Sequence, residues 1–268
     1  MKYLYTLLSF LAFSSLIAQE ISYDFIAEYE LKYTADLSNP KDVFISEPFI
    51  LYAGGEKSFY ISTNKIARDT LIHSGNVSTS DLPRLMAMPK PSSSQRFIKI
   101  PKNNTLVVYD EISSSKYKYS EDLQINWSLE SDTIRMANQI LKKATTHYKG
   151  RDYIAWYNES IPISDGPYKF NGLPGLIFKV YDSEKQFSFE ILNYKTLPKE
   201  KIVSVVYENQ PIETTGKRFK KSKLKFYRDP FPMLESEGIY YPAESKHRVR
   251  EKHRQFYENS YDNKIELD

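Results

Sequence analysis

The sequence predicts a mainly β protein built on a single large curved antiparallel sheet, or an incomplete, bowl-like barrel, with one or two short helices. Short segments that alternate apolar and polar residues recur along the chain, which is the period of a half-buried strand. Turn-forming residues separate these segments, and long helical patterns are missing. A chain of 268 residues can bury the core of one large β domain or of two small ones.

Residues 1–18 have the pattern of a cleaved signal peptide, which leaves residues 19–268 as a single β domain. Lys2 supplies the positive start, and Ala18 is the small residue expected at the cleavage point. A transmembrane anchor is the alternative, but the apolar run Leu4–Ile17, of about 14 residues, is shorter than the roughly 20 that cross a bilayer. We therefore expect a mature protein in the periplasm or secreted, with no transmembrane segment.

The composition excludes several classes of function. Because the chain has no Cys, a cysteine-linked lipid anchor, a disulfide scaffold and thiolate catalysis are ruled out. A formal charge of +3 is too close to neutrality to indicate a nucleic-acid partner. The four histidines, His73, His147, His247 and His253, lack the spacings of a zinc site. We expect neither a metal nor a cofactor.

The elements can be assigned in order from the N-terminus. Phe25–Tyr33 alternates apolar and polar residues and predicts the first strand. Gly54-Gly55 predicts a hairpin, Asn64–Gly75 a short helix, and the Pro- and Ser-rich segment Pro83–Ser94 a loop. The remaining strands are predicted at residues 48–52, 58–61, 96–100, 105–109, 116–119, 124–129, 140–148, 151–157, 176–181, 186–194 and 201–207.

The C-terminal part changes in character. Residues 217–228 contain seven basic side chains and no acid. Because Leu224 and Phe226 alternate with lysines, we interpret this stretch as an edge strand whose lysines discourage aggregation. The alternative is a docking patch for anionic lipid, lipopolysaccharide or an acidic partner. Glu244–Asn259 has the composition of a surface helix.

Residues 166–175 form the most distinctive segment, with three of the nine glycines and two prolines. Gly permits positive φ or close backbone approach and Pro fixes φ, so the segment predicts a rigid loop that crosses between two strands. We expect Gly172 or Gly175 to adopt a conformation closed to other residues. The residues singled out, all interpreted as structural, are Trp156, Gly166, Pro167, Tyr168, Gly172, Leu173, Pro174, Gly175, Leu176 and Ile177. We expect Trp156 to be buried, and Leu173, Leu176 and Ile177 to fill the core.

The string Gly166–Ile177 resembles the signature of the GLPGLI family, and the ending Asn263–Leu267 resembles that family's C-terminus. The resemblance extends over essentially the whole mature chain. It implies an exported protein of Gram-negative bacteria without an established activity, often found beside outer-membrane nutrient receptors. It also implies a fold similar to the N-terminal bowl-like domain of type-II peptide:N-glycosidase F. Ile140 and Leu141 stand where family members often carry a Cys, and Lys264 replaces a Pro.

Two functional hypotheses remain open. The first is a non-enzymatic binding or accessory module, with tyrosines lining a concave face and an outer-membrane receptor or envelope protein as partner. The second is a hydrolase that acts on glycan or peptide through paired carboxylates, drawn from Asp110, Glu111, Glu121, Asp122 and Asp229. Two acids about 5–10 Å apart in a pocket, with no basic neighbour, would favour the hydrolase. No catalytic residue can be assigned from the resemblance.

Overall fold

The structure is a computed structural model that describes residues 19–34, 44–73, 78–136, 138–205, 211–259 and 265–267. The predicted signal peptide, residues 1–18, lies outside the described residues, as do residues 263 and 264 of the family-like ending. Within the described ranges, no helix is both long and apolar enough to cross a membrane.

In the residues that the structure describes, twelve strands form one open mixed sheet in the order β12-β6-β5-β4-β3-β2-β1-β11-β10-β9-β8-β7. Neighbouring strands are antiparallel except β12 and β6, which are parallel. The predicted mainly β fold on one large sheet is confirmed, with one parallel pair at its edge. The strands are β1 (Gln19–Thr34), β2 (Phe44–Ala53), β3 (Ser58–Ser62), β4 (Arg96–Ile100), β5 (Thr105–Ile112), β6 (Ser115–Asp122), β7 (Ser128–Met136), β8 (Gln139–Tyr148), β9 (Arg151–Asn158), β10 (Leu176–Asp182), β11 (Phe187–Val205) and β12 (Ile212–Glu213).

Within the described ranges, five short helices accompany the sheet, more than the one or two predicted. They are α1 (Thr63–His73), α2 (Leu82–Ala87), α3 (Gly216–Arg228), α4 (Phe231–Ser236) and α5 (Ala243–Asn259). The predictions for α1 and α5 are confirmed. The hairpin at Gly54-Gly55 is also confirmed, and Gly54 has a φ of +136° there.

Three element predictions are wrong. Residues 217–228 form helix α3 and not an edge strand, because Phe219 and Phe226 recur at the helical period and both are buried. Part of the predicted loop Pro83–Ser94 belongs to α2, which has Pro83 in its first turn, a position that proline favours. The predicted strand 124–129 is strand only from Ser128 onward.

Each face of the sheet carries its own hydrophobic cluster. The larger one includes Tyr29, Leu51 and Phe97, and we call the side on which it lies the inner face. The smaller cluster, on the outer face, includes Ile61 and Ile98. Phe97 and Ile98 are neighbours in β4, so alternation along the strand sends them to opposite faces. The inner face is covered by the segment that joins β9 to β10 and by helices α3 and α4.

Candidate functional site

The segment that joins β9 to β10, residues 159–175, lies on the inner face and fills it. We call this segment the motif loop. Phe170 is completely buried, and its ring contacts Tyr153 with a centroid distance of 4.8 Å. The Tyr168 ring contacts Phe97 at 5.1 Å. Leu173 of the loop is also fully buried. The motif loop therefore inserts its own aromatic side chains between those of the strands.

Two glycines of the motif loop have positive φ, as predicted. Gly175 has a φ of +148°, and a Cβ atom there would lie 2.2 Å from the Asn158 carbonyl oxygen. Gly172 has a φ of +88°, but its surroundings are open, with the nearest atoms 4.0 Å away in Trp127. Gly166 is constrained by space alone, since a Cβ would meet Ile177 at 2.8 Å. Only Gly175 combines both constraints.

Lys99 anchors the motif loop from strand β4. Its ammonium group donates hydrogen bonds to Asp165 Oδ1 and the Gly166 carbonyl, each at 2.6 Å, and to the Phe170 carbonyl at 3.1 Å. The side chain is 1% exposed, and burial lowers its pKa although Asp165 opposes that shift. A buried cation needs such partners, since an unpaired one would be costly. Lys99 thereby fixes the path of the loop.

Lys169 connects the motif loop to the C-terminal segment. Its Nζ lies 2.7 Å from Glu121 and 2.6 Å from Glu266, and the Tyr168 hydroxyl also donates to Glu266. Burial alone would lower the pKa of Lys169, but the two carboxylates outweigh burial and raise it. Burial likewise opposes ionisation of Glu266, yet chiefly Lys169 lowers its pKa to about 2. Lys169 and Glu266 are therefore both charged at neutral pH.

These contacts close the inner face. Tyr29, Tyr60 and Tyr153 of the inner face are at most 2% exposed, so these three tyrosines do not line a ligand surface. The physical reason is that the loop aromatics occupy the space that a ligand would need. Trp156 was expected to be buried and is only half-buried. It lies on the opposite side of β9 from the buried Tyr153, because the two positions are an odd number of residues apart.

The other motif residues lie as follows. Leu176 and Ile177 are fully buried at the start of β10, as predicted, and the Tyr29 hydroxyl donates to the Ile177 carbonyl at 2.8 Å. Pro167 is buried, whereas Pro174 is exposed. The motif is therefore mainly a core element that reaches the surface near Gly172 and Pro174.

A cleft of about 180 Å³ opens at the ends of β4 and β5, between α1 and α3. We call it the charged cleft. Its polar groups include two ammonium groups, three serines and one carboxylate, and Tyr227 supplies an aromatic ring. The lining residues are Lys65, Pro91, Ser92, Ser93, Ser94, Glu111, Lys223 and Tyr227.

Glu111 is the only acid among the described residues that line this cleft, and three cations surround it. Lys65 lies 3.1 Å away, Lys116 2.9 Å and Arg96 3.2 Å. Burial would raise the pKa of Glu111, but the combined cations outweigh burial and lower the pKa to about 2. The Glu111 carboxylate is therefore a fixed anion that stays unprotonated at neutral pH.

The candidate acid pairs are not arranged for hydrolysis. Asp110 and Glu111 are adjacent in β5, so alternation directs them to opposite faces, and Asp110 binds Lys223 at 3.1 Å. Glu121 is paired with Lys169 as described above. Asp229 accepts from Arg250, and Asp122 accepts from Asn104 and from the backbone of Gln124. No pair of these acids lies together without a basic neighbour.

A second, more apolar cleft of about 320 Å³ lies where α3 meets α4 and α5. Its described lining is Ser113, Phe226, Tyr227, Leu234, Lys252 and His253, none of which is an acid. Burial lowers the pKa of His253, whose ring packs edge-on against Phe226 at 5.2 Å. Elsewhere, His147 forms an exposed pair with Asp152 at 2.7 Å. In the part of the chain that the structure describes, no group of three or more His, Cys, Asp or Glu could hold a metal ion.

The sequence reasoning missed the buried cations. Lys99 and Lys169 each lie in an apolar stretch of the sequence. A lysine in such a stretch is normally interpreted as facing solvent. The signal that could have identified Lys169 is its place between Tyr168 and Phe170, in a loop whose neighbours are apolar. For the charged cleft the available signal was the run Ser92–Ser94, which we interpreted only as loop composition.

Comparisons with known proteins agree with this architecture. Residues 106–179 match a family described as "Protein of unknown function (Porph_ging)", a segment that includes the whole motif loop. The comparison with curated protein sequences found no match. The membership in the GLPGLI family indicated by the sequence motif stays a prediction.

Among solved structures, PNGF-II in space group C2 is similar, with a TM-score of 0.51 and 12% sequence identity. The similarity covers 74% of this chain and 32% of PNGF-II. A second structure of PNGF-II, in space group P21, gives a TM-score of 0.49 and 14% identity, with the same coverage. The chain thus spans about a third of the length of PNGF-II. At this identity the likeness concerns the fold, and the open sheet described above is similar to part of PNGF-II.

Proposed function

We propose that this protein is an exported, non-enzymatic binding or accessory module that holds a small polar ligand in the charged cleft. The observation that carries the proposal is the state of Glu111, the cleft's only described acid. Three cations lie within 3.2 Å of its carboxylate. Because these cations hold the Glu111 carboxylate in place, it fits the role of a hydrogen-bond acceptor of fixed geometry for a ligand.

The same observation weighs against the hydrolase alternative. A general acid needs a pKa raised toward the working pH, usually by an apolar or anionic environment. Glu111 has its pKa lowered to about 2 instead. Glycoside hydrolysis also requires a second carboxylate across the scissile bond, and the described lining of the cleft contains none.

The lining of the cleft indicates the chemical class of the ligand. Ser92, Ser93 and Ser94 present hydroxyl groups, while Lys65 and Lys223 present ammonium groups. Hydroxyl-rich or zwitterionic molecules, such as a short saccharide or peptide, can pair with such a set. The Tyr227 ring adds an apolar surface for one face of the ligand. The cleft volume of about 180 Å³ lies below the usual range of drug-sized ligand sites, which indicates a small ligand.

The cellular setting is part of the proposal. The apolar N-terminal segment supports export to the periplasm or secretion. The resemblance to the GLPGLI family supports an outer-membrane receptor or another envelope protein as the partner. The fold similarity to PNGF-II, which spans about a third of that protein, is compatible with an accessory module.

The test is purification of the tagged protein from its native envelope, followed by mass spectrometry of bound small molecules and proteins. A Ser92→Tyr variant fills the charged cleft. The matched control is Ser120→Tyr, because Ser120 is exposed on β6 and is not among the residues that line the cleft. We expect a polar small molecule with the parent protein and the control, and its loss from Ser92→Tyr.

Equal ligand retention by both variants would contradict the choice of cleft. Because the Ser92 hydroxyl also donates to Glu47, melting temperatures of the two variants are needed to show that both fold. If the purified protein instead cleaves a glycan or peptide, and Glu111→Gln abolishes that cleavage, the hydrolase hypothesis replaces this one.

A further inference from the structure

Helix α3 has two faces with different chemistry. Phe219, Lys223 and Phe226 point toward the protein and are buried. At 100° per residue, five other basic residues fall within an arc of roughly 100° on the opposite side. We call these five residues, all exposed, the cationic face: Lys217, Arg218, Lys221, Lys225 and Arg228.

The cationic face has no countercharge within the part of the chain that the structure describes. Helix α3 contains no acid, and none of the five side chains forms an ion pair with any described residue. Other cations of the same helix are paired: Lys223 with Asp110 at 3.1 Å and Lys220 with Glu266 at 3.3 Å. The cations that serve the fold and the cations that face solvent are thus separate sets.

The charge of the molecule is concentrated in this region. Residues 216–259 carry twelve basic and six acidic residues, whereas the whole chain has 37 and 34. The remainder of the chain is therefore net acidic. A near-neutral protein with its positive charge on one helical segment has a strong directional field, which orients it toward an anionic surface.

The composition of the cationic face favours a membrane over a protein partner. Lysine is depleted at protein–protein interfaces, whose binding energy comes from buried aromatic and apolar anchors. The cationic face contains three lysines and no apolar residue. Lysine is well suited to an anionic bilayer, which attracts basic side chains near its surface without a shaped pocket. A 13-residue helix also presents its charges over roughly 20 Å, about the width of several lipid headgroups.

Two exposed tyrosines lie near the C-terminal end of helix α3. Tyr240 is 75% exposed and Tyr241 is 36% exposed, on the turn that follows α4. The Tyr241 ring contacts Phe231, three residues after Arg228, at 5.9 Å. Tyrosines of this kind settle at the headgroup level of membranes.

We propose that the cationic face docks the protein on a bilayer surface rich in anionic phospholipid, with Tyr240 and Tyr241 at the headgroup level. This function goes beyond ligand binding in the charged cleft and does not depend on it. Lys223 points to the other side of the helix, so the cleft stays accessible when the cationic face is occupied.

The test is co-sedimentation of the full chain with extruded vesicles of phosphatidylglycerol and phosphatidylcholine in equal amounts, at low salt. The test variant is Lys217→Gln/Lys221→Gln/Lys225→Gln. The matched control is Lys195→Gln/Lys199→Gln/Lys201→Gln, which removes the same charge from exposed positions of β11. We expect the test variant to partition roughly tenfold to a hundredfold more weakly than the parent, and the control to change less than about threefold.

Vesicles of phosphatidylcholine alone measure any insertion of the apolar residues 1–18, which all three proteins share. Equal weakening by both triple variants would show a general charge effect and overturn the proposal. Absence of binding to the anionic vesicles would overturn it too. If the parent then binds polyglutamate and the test variant does not, an acidic protein is the partner. Circular dichroism melts confirm that each variant is folded.

Discussion

Lys169 occupies a position where a single side chain holds two carboxylates inside the protein. It is 2% exposed and lies within 2.7 Å of both Glu121 and Glu266. Removal of one partner from a buried ionic group leaves an uncompensated charge, which costs far more than the intact group contributes. The Lys169 ammonium group is therefore one of the contacts that join the motif loop to the C-terminal segment.

We predict that Lys169→Met lowers the free energy of unfolding by about 3–5 kcal/mol. The control is Lys102→Met, because Lys102 is exposed and its pair with Glu56 is at the surface. That control should change stability by less than about 0.5 kcal/mol. Urea unfolding followed by tryptophan fluorescence measures both. Equal stabilities of the two variants would show that the buried carboxylates find other partners.

The lowered pKa of Glu266 predicts a pH dependence of stability. The pKa falls from 4.5 to about 2 on folding, so the folded state binds fewer protons than the unfolded state between these values. Its contribution is complete above about pH 4.5 and is lost as pH falls toward 2. A shift of this size corresponds to roughly 3 kcal/mol. Glu266→Gln should therefore lose less stability than the parent between pH 5 and pH 2.

The matched control for this pH series is Glu56→Gln, since Glu56 is 73% exposed. Its stability profile should follow that of the parent protein. A Glu266→Gln profile parallel to the parent's would contradict the charged, buried state of Glu266. The pKa of Glu111 is also lowered to about 2, so Glu111 loses its contribution to stability over the same pH range. Both variants therefore keep an acid transition that comes from Glu111.

Among the elements, the motif loop combines a fixed backbone with a buried interior. Gly175 has both positive φ and a backbone oxygen 2.2 Å from the position of a Cβ, whereas Gly172 has positive φ in open space. We predict that Gly172→Val costs about 1–3 kcal/mol from strain alone. Gly175→Val should cost more, because the Asn158 carbonyl must move as well. Melting temperatures of the two variants give the order.

The competing interpretation is that the loop is an exposed recognition surface. It predicts that both substitutions abolish partner binding and leave the melting temperatures unchanged. The burial of Leu173, Phe170 and Ile177 supports the structural interpretation. An unshifted midpoint for Gly175→Val would decide for recognition.

A strand, helix or turn was predictable where the pattern of nearby residues matched the burial of those residues in the structure. The alternation in Phe25–Tyr33 and the glycines at 54 and 55 are local signals, and both led to the correct element. Helix α3 was misread because Lys223 occupies a buried position of its apolar row, which breaks the helical period. Leu224 and Phe226 alternate with lysines in the sequence, and this alternation is the pattern of a strand. The pairing of Lys223 with Asp110, distant in sequence, cannot be seen from composition.

The site was less predictable than the sheet. The prediction that Gly172 or Gly175 has special backbone geometry followed from residue type and is confirmed. The closed inner face did not follow, because alternation identifies which side of a strand is buried but not what covers it. The ion partners of Glu111 come from α1, β4 and β6, and only the sheet order brings them together.

For the whole molecule, export makes a direct prediction. We expect the mature protein to begin near Gln19 and to be recovered from the periplasmic or secreted fraction. A chain lacking residues 1–18 should stay in the cytoplasm and remain soluble. Cell fractionation with N-terminal sequencing measures both. Full-length protein in washed membranes would contradict cleavage.

The central place of β1 in the sheet determines when the protein can fold. On one side β1 pairs with β2, the next strand along the chain, but on the other it pairs with β11, where Gln19 lies opposite Val205. Such distant pairing closes a long loop before it yields contacts, which slows folding. During synthesis the free side of β1 has no native partner until β11 leaves the ribosome. A ribosome-bound fragment that ends before Phe187 therefore exposes an unpaired strand edge, and chaperone binding to nascent chains should drop sharply once β11 has emerged.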